Sequence, residues 1–441
     1  MPWLQIPQPE VFLKKWGANV SDVKKKSASI ASPRKIRIAA FLAVMGPGII
    51  AGLSDDDPAG ITTYSQLGAK YGYQLLWTLV ISTVALIIFQ DLGARIGVVT
   101  RQGLIGLVRQ KYGARSGVMS ASALIIANIG TMTAEFAGIA VAGKLFNIPN
   151  YITVPGSALL VSFLVLRGTF ARVEKVFFLL SGVFLAYVIA GFQAHPNWGS
   201  AFKGMVVPTM PFNHDAILIA TATLGTTLAP WGLAFIQSYA VDKRLTRDDL
   251  KLLRVDVWTG SFLTGIIGFF VVVTCAAAFH SHNIAITDAG QAAAALKPLA
   301  GTFAKDLFAI GLIGAALLAA SILPLSTAYS VSDLTGRPAA LDDKPKEAPL
   351  FYSTFAIITV IAALIVMVFG GHSSTLLAIL VITQVLNAVL LLPLLMYMFG
   401  ISRDQKLMGE YRASTKMQWV YGVIITIVAS CIGCMLWFSF H

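Results

Sequence analysis

The sequence predicts an all-α polytopic membrane protein. Hydrophobic residues make up 56% of the 441 residues, charged residues make up 12%, and the mean hydropathy is +0.74. Soluble chains carry about 25% charged residues, so this balance excludes an ordinary soluble domain. Apolar runs of spanning length predict eleven transmembrane helices, near residues 39–70, 73–98, 117–144, 150–167, 174–194, 215–240, 256–280, 303–328, 350–370, 373–400 and 417–439.

The basic residues predict how the chain is oriented. The net charge is +12, and 28 of the 33 Lys and Arg residues fall in the N-terminal tail and in alternate connections between helices. Basic connections favour the cytoplasmic side, so we expect a cytoplasmic N-terminus. This pattern accounts for the net charge without a nucleic-acid partner. We expect a multi-pass protein of the plasma membrane, which is the inner membrane in a prokaryote.

The same pattern predicts three parts of the chain. Residues 1–38 are basic and polar and are expected to form a cytoplasmic tail rather than a signal peptide. Residues 39–400 are expected to form the core, with a first repeat at 39–195 and a second at 215–400. Residues 401–441 are expected to hold a cytoplasmic linker and the eleventh helix.

A polar break interrupts the first predicted helix at Ser54-Asp55-Asp56-Asp57-Pro58-Ala59-Gly60. Three carboxylates at membrane depth are costly unless they face water, a partner or a cation. Pro58 removes a backbone donor and Gly60 relaxes the helical geometry. The stretch indicates either a broken helix whose gap binds a cation or a short surface loop between two helices.

A second interruption lies in the sixth predicted helix, at Leu224 to Gly232 around Pro230. A proline within a span is often only a kink. Here, however, it occupies the first helix of a second group of five, as Pro58 does in the first group. Paired interruptions in corresponding halves are typical of inverted-repeat transporters with a site near the bilayer midplane.

The residues around the breaks resemble those of a known family. Asp57-Pro58, Tyr71-Gly72-Tyr73, Ala94 to Thr100 and Ala134-Glu135 are similar to segments of Nramp divalent-metal transporters, as are Gly46-Pro47-Gly48, Val173-Glu174-Lys175 and Gln384 with Asn387 and Pro393. The resemblance covers about residues 40–400. It implies a LeuT-like fold with an inverted five-helix repeat, in which helices 1 and 6 are unwound.

The chain departs from the family pattern at its metal-binding positions. The family motif Asp-Pro-Gly-Asn is Asp57-Pro58-Ala59-Gly60 here, and Met-Pro-His is Ala229-Pro230-Trp231. The second family histidine falls at Gln237, a third-helix acidic residue falls at Met132, and the basic pair of the ninth helix is missing from 349–365. These departures resemble the Nramp-related magnesium transporter branch, whose members also carry Mn²⁺ and look like uncoupled carriers.

The predicted ligand set combines the breaks with the resemblance. Asp57 is expected to be the central ligand, with Asp56, Thr226, the Ala229 carbonyl and the position of Gly60 around it. Glu135 and Gln384 complete the candidate set, directly or through water. For Glu135 the alternative is a buried structural hydrogen bond, and for Gln384 it is a contact between helices.

We therefore predict a monomeric carrier in the lipid bilayer that moves Mg²⁺, and also Mn²⁺, by alternating access without proton coupling. The metal is the transported substrate, and no cofactor is expected. The alternative is a proton-coupled Mn²⁺/Fe²⁺ symporter of the ordinary Nramp type. An amino-acid carrier is disfavoured because three aspartates repel a carboxylate, and an enzyme is disfavoured because the chain lacks a His-Glu-x-x-His pattern. A channel instead of a carrier is a further alternative on the sequence alone.

Overall fold

The computed structural model describes residues 52, 54–166, 182–336 and 345–440 of the chain. Several predicted features lie outside these residues: the N-terminal tail, most of the first half of the first helix, Gly46-Pro47-Gly48, and Val173-Glu174-Lys175. The described residues are dominated by α-helices, which confirms the predicted all-α class. The α-helices of at least eight residues are α1 (Pro58–Tyr71), α2 (Leu76–Thr100), α3 (Leu104–Tyr112), α4 (Ala114–Leu145), α5 (Asn150–Leu166), α6 (Ala186–Gln193), α7 (Trp198–Val206), α8 (His214–Thr227), α9 (Pro230–Asp242), α10 (Leu250–Ala278), α11 (Ala304–Thr335), α12 (Pro349–Phe369), α13 (Ser373–Ser402) and α14 (Thr415–Phe440).

Among the described residues, eight helical segments are long and apolar enough to cross a membrane. They are Leu76–Thr100, Ala114–Leu145, His214–Asp242, Arg247–His282, Gly301–Thr335, Pro349–Phe369, Ser373–Ser402 and Thr415–Phe438. Shorter apolar helices occupy Asn150–Leu166 and Gly182–Gln193. These ten segments coincide with ten of the predicted spans, and α1 is the second half of the remaining one. The total of eleven spans stays a prediction.

Both predicted interruptions are present as breaks in helical structure. Residues 54–55 are helical, Asp56 and Asp57 are not, and α1 begins at Pro58. In the second break, α8 ends at Thr227 and α9 begins at Pro230. In each case the proline stands at the first position of the new helix, where its missing N–H costs nothing and its fixed φ favours the helical turn.

Helix α1 lies in the centre of the bundle. It packs against α10, α8, α13 and α4, and every residue from Pro58 to Ala69 is buried. On α4, Gly138 permits this arrangement: a Cβ there would collide with the Pro58 ring. This close approach brings the first turn of α1 against the stretch of α4 that carries Glu135, one turn away from Gly138.

Candidate metal site

The first break is organised by Asp57, which is the N-cap of α1. Its Oδ1 accepts a hydrogen bond from the Gly60 N–H at 2.6 Å, and its carbonyl accepts one from Ile61 at 2.9 Å. Such a cap satisfies an N–H that would otherwise lack a partner at the helix start, and the positive end of the helix dipole favours an ionised carboxylate. The sequence thus fixes the orientation of Asp57 and leaves its second oxygen for another partner.

The second break exposes main-chain oxygens. Pro230 has no N–H to donate to the Thr226 carbonyl four residues earlier, and Leu228 and Ala229 leave the helical conformation, with ψ of 53° and 134°. The Ala229 carbonyl accepts a hydrogen bond from the Gly232 N–H at 3.1 Å. A carbonyl has two lone pairs, so the Ala229 carbonyl keeps one acceptor position, which its predicted role as a metal ligand needs.

The two breaks meet at Gly60. A Cβ built on Gly60 would lie 2.8 Å from the Asp55 carbonyl oxygen, 3.2 Å from Thr226 Oγ1 and 3.3 Å from Asp57 Oδ1. Three oxygens from two different helix breaks therefore surround one point. Replacement of the family asparagine by Gly60 leaves little empty volume, because these oxygens lie within 2.8–3.3 Å of the place where a side chain would begin. Even an alanine would require the 2.8 Å contact to relax.

Four carboxylates lie in this region and are inaccessible to solvent. Asp55, Asp56, Asp57 and Glu135 are 2%, 1%, 3% and 0% exposed. Within the described ranges, none of them forms an ion pair with a lysine, arginine or histidine. A buried charge without a counter-charge is unfavourable by several kcal/mol or more. These side chains consequently require a cation or protons that the folded chain does not itself supply.

Several of the oxygens also lack hydrogen bonds. Both carboxylate oxygens of Asp55, Asp56 and Glu135, together with Thr226 Oγ1, have no hydrogen-bond partner of regular geometry in the described part of the chain. Asp57 and Glu135 are close enough for their charges to interact. In the same residues, no group of three or more His, Cys, Asp or Glu side chains is arranged to hold a metal. Any site here must therefore draw on neutral oxygens as well as carboxylates.

Gln384 is placed beside the second break, with its side chain directed elsewhere. Its main-chain carbonyl packs directly on Gly225 of α8. Its Oε1 accepts a hydrogen bond from Asn387 Nδ2 at 2.9 Å, and Asn387 Nδ2 also lies 2.9 Å from Thr131 Oγ1 on α4. The Gln384 amide therefore bonds within α13, and Asn387 connects it to α4.

The positions of the family histidines hold residues with other roles. Trp231 is 1% exposed and its ring lies 6.3 Å from that of Phe235, which makes it part of an apolar wall beside the break. Gln237 donates from Nε2 to the Gln102 carbonyl at 2.9 Å and so ties α9 to the α2–α3 connection. Met132 is fully buried in the core.

One polar contact within α2 differs from what its sequence predicts. The i,i+4 spacing of Asp91 and Arg95 predicts an ion pair between them, and this prediction is wrong: Asp91 Oδ1 binds Arg254 Nε of α10 at 2.7 Å. Arg95 instead donates to the Tyr421 hydroxyl of α14 at 2.7 Å. A tertiary contact thus replaces the local pair, which contributes only a few tenths of a kcal/mol to an isolated helix.

Comparison with known proteins places these observations in a family. The model of the Natural resistance-associated macrophage protein-like (Nramp) family matches residues 48–438. The chain belongs to the Nramp family. It is 29% identical over 427 residues to the divalent metal cation transporter MntH of Klebsiella pneumoniae, covering 93% of this chain and 97% of that protein.

Solved structures support the fold. The manganese transporter of Eremococcus coleocola is similar with a TM-score of 0.72 at 18% identity, covering 93% of this chain and 96% of that one. The nucleobase-cation-symport-1 family transporter Mhp1 is similar with a TM-score of 0.54 at 15% identity, over 90% and 93%. The predicted LeuT-like fold of this Nramp protein is confirmed. The named Nramp relatives are metal transporters and not enzymes, and the metal is their transported substrate rather than a cofactor.

The sequence analysis missed one group at this site, the main-chain carbonyl of Asp55. The signal for it in the sequence is Pro58, which predicts a break in helical hydrogen bonding just after Asp55. A carbonyl just before an unwound segment loses its helical partner and becomes available as a neutral oxygen.

Proposed function

We propose that this Nramp protein carries Mg²⁺, and also Mn²⁺, across the membrane by alternating access and without proton coupling. The observation that supports this proposal most strongly is the convergence of oxygens at Gly60, with a buried carboxylate and no sulfur or imidazole among them. A carboxylate, a hydroxyl and main-chain carbonyls are hard ligands, which suit Mg²⁺. The thioether that would favour softer transition metals is replaced by Ala229.

In this proposal Asp57 is the central ligand. The Thr226 hydroxyl and the Ala229 and Asp55 carbonyls add neutral oxygens, and Gly60 allows them to approach each other. Asp56, Glu135 and Gln384 act directly or through water, with Gln384 turning toward the metal in another conformation. Mg²⁺ retains several waters when it binds through one or two carboxylates, so a shell of unpartnered oxygens around the hydrated ion fits the geometry.

The lack of proton coupling is inferred from the residues beside the break. Imidazole is the side chain that exchanges protons near neutral pH, and both family histidine positions hold other residues, Trp231 and Gln237. The indole is buried in an apolar wall and the amide is bound to a main-chain carbonyl. The membrane potential is then sufficient to drive uptake, since it contributes about 4.6 kcal/mol for a divalent ion at about 100 mV.

We also propose that the carrier is a monomer with a cytoplasmic N-terminus in a prokaryotic inner membrane. The distribution of basic residues supports the orientation. The MntH relative comes from a bacterium, which supports the location.

A second candidate is a proton-coupled Mn²⁺/Fe²⁺ symporter. The names of the relatives favour it, since one is a divalent metal cation transporter and another a manganese transporter. The replacements at Gly60, Ala229, Trp231 and Gln237 argue against it.

The test is Mg²⁺ uptake into proteoliposomes, with the internal pH followed in the same vesicles. We expect Mg²⁺ uptake without acidification, lost in Asp57→Ala and retained in Asp248→Ala, which removes an exposed loop carboxylate. Mn²⁺ uptake with acidification and without Mg²⁺ uptake would overturn the proposal and establish the symporter.

A further inference from the structure

Two adjacent threonines at the end of α8 have opposite environments. Thr226 Oγ1 is buried, has no hydrogen-bond partner in the described residues, and lies beside the point at Gly60 where the oxygens converge. Thr227 Oγ1, in contrast, has three partners: it donates to the Thr223 carbonyl at 2.8 Å, and it lies 2.8 Å from the Tyr64 hydroxyl and 3.1 Å from Ser82 Oγ. Only one of the two hydroxyls is therefore available to a cation.

The partners of Thr227 exhaust its hydrogen-bonding capacity. A hydroxyl offers one hydrogen and two lone pairs. The hydrogen goes to Thr223, so Tyr64 donates to one lone pair of Thr227 Oγ1. Ser82 Oγ, which shares its single hydrogen between Thr227 Oγ1 and the Leu79 carbonyl at 3.0 Å, faces the other. All four residues are buried, which excludes competing water. Thr227 is consequently fixed against α1 and α2 and does not face the metal site.

Fixing Thr227 also fixes Thr226. Successive side chains on a helix point about 100° apart, so the rotation of the end of α8 decides which threonine faces Asp57. Tyr64 lies in the second turn of α1, the helix whose N-cap is Asp57. The Tyr64 hydroxyl thereby ties the rotation of α8 to the helix that holds the central carboxylate.

We propose that Tyr64 is a positioning residue for the transported cation. By holding Thr227, it turns the Thr226 hydroxyl toward Asp57, without touching the metal itself. This inference rests on the proposed function of the same site. In this proposal, the contact with Tyr64 decides which of the two threonines, Thr226 or Thr227, faces the metal site.

The test compares cation binding with stability in the purified full-length protein. Tyr64→Phe keeps the ring and removes the hydroxyl, and Thr227→Val removes the other side of the contact at similar volume. We expect each to raise the Kd for Mg²⁺ and for Mn²⁺ about five- to tenfold, in line with the loss of one buried hydrogen bond. Because the Tyr64–Thr227 contact is already lost in Thr227→Val, the double variant should bind no more weakly than Thr227→Val alone.

Tyr187→Phe is the matched control. Tyr187 is also fully buried, and its hydroxyl donates at 3.3 Å to the carbonyl of Ala292, a residue that belongs to neither break. It should lower the melting temperature about as much as Tyr64→Phe and leave both Kd values unchanged. Thr226→Val should weaken binding at least as much as Tyr64→Phe.

Three outcomes would overturn the inference: unchanged binding in Tyr64→Phe, unchanged binding in Thr227→Val, or unchanged binding in Thr226→Val. Asp57→Ala separates this failure from failure of the proposed function. If Asp57→Ala abolishes binding while Tyr64→Phe binds normally, only the positioning role is lost. If Asp57→Ala binds normally, the site itself is wrong.

Discussion

Two sets of carboxylates among the described residues differ in what neutralises them. Near the ends of the helices they are paired with fixed cations: Asp91 binds Arg254 at 2.7 Å, and Asp404 binds Lys111 at 2.8 Å. At the first break, Asp55, Asp56 and Asp57 are more deeply buried and have no basic partner in the residues that the structure describes. In the proposed function, these uncompensated charges are the ones that the transported cation compensates.

The difference between the two sets is tested most directly by neutralising one carboxylate from each. Asp57→Asn should reduce Mg²⁺ transport roughly 100-fold or more, since even outer groups of metal sites contribute 10- to 100-fold in affinity. Its melting temperature should change little, because asparagine also caps a helix. Asp91→Asn should show the reverse, with transport retained and stability lowered. Proteoliposome uptake and thermal unfolding measure both effects, and a loss of transport in Asp91→Asn alone would contradict the comparison.

A thioether added to the site should sharpen the distinction between hard and soft ligands. Ala229→Met should lower the preference for Mg²⁺ over Mn²⁺ about tenfold, because sulfur favours the transition metal. Ala229→Leu adds similar volume without sulfur and is the control for overpacking. Competition of Mg²⁺ against Mn²⁺ binding measures the ratio. If leucine and methionine change it equally, sulfur chemistry is not the cause.

Replacing Glu135 tests whether this carboxylate serves the metal site or a structural hydrogen bond. Glu135→Gln keeps the shape and removes the charge beside Asp57, so we expect the Kd for Mg²⁺ to rise about three- to tenfold while the melting temperature stays the same or rises. Isothermal titration and thermal unfolding provide the two values. Unchanged binding with a lower melting temperature would assign Glu135 to a structural hydrogen bond instead.

The smallest expected effect is on stability and concerns Asp404, one of the carboxylates paired with a basic side chain. The hydrogen bond from Lys111 lowers the pKa of Asp404 below its usual value. A carboxyl whose pKa is lower in the folded state stabilises the fold above its unfolded pKa, and this contribution is lost as the pH falls through the folded pKa. Asp404→Asn should therefore reduce stability at neutral pH, by less than about 1 kcal/mol for a pair that water still reaches, and the difference from wild type should vanish in acid. A difference that grows on acidification would refute this assignment.

The sequence predicted those features that depend on local chemistry. The breaks follow from Pro58 and Pro230, which interrupt helical hydrogen bonding wherever they lie, and the predicted span at 73–98 corresponds closely to Leu76–Thr100. The place of Asp57 at the start of α1 is also a local feature, because Pro58 favours the first position of a new helix; its role as a ligand stays a prediction.

The features that the sequence left open depend on tertiary contacts. Nothing local distinguishes Thr226 from Thr227, because the rotation of α8 is set by Tyr64 and Ser82, more than 140 residues earlier in the chain. The partner of Asp91 was mispredicted for a related reason: Arg95 is bound to Tyr421, 326 residues away. The role of the Asp55 carbonyl required knowing which atoms converge on Gly60.

The central claim is that the divalent cation crosses the membrane without accompanying protons, and the reversal potential of Mg²⁺ flux in voltage-clamped proteoliposomes tests it directly. For an uncoupled carrier, the potential at which net flux stops follows the Mg²⁺ gradient alone, at about 30 mV per tenfold gradient for two charges. We predict this value, unchanged when a pH gradient is imposed. A reversal potential that shifts with the pH gradient would contradict the account, because protons would then cross with the metal.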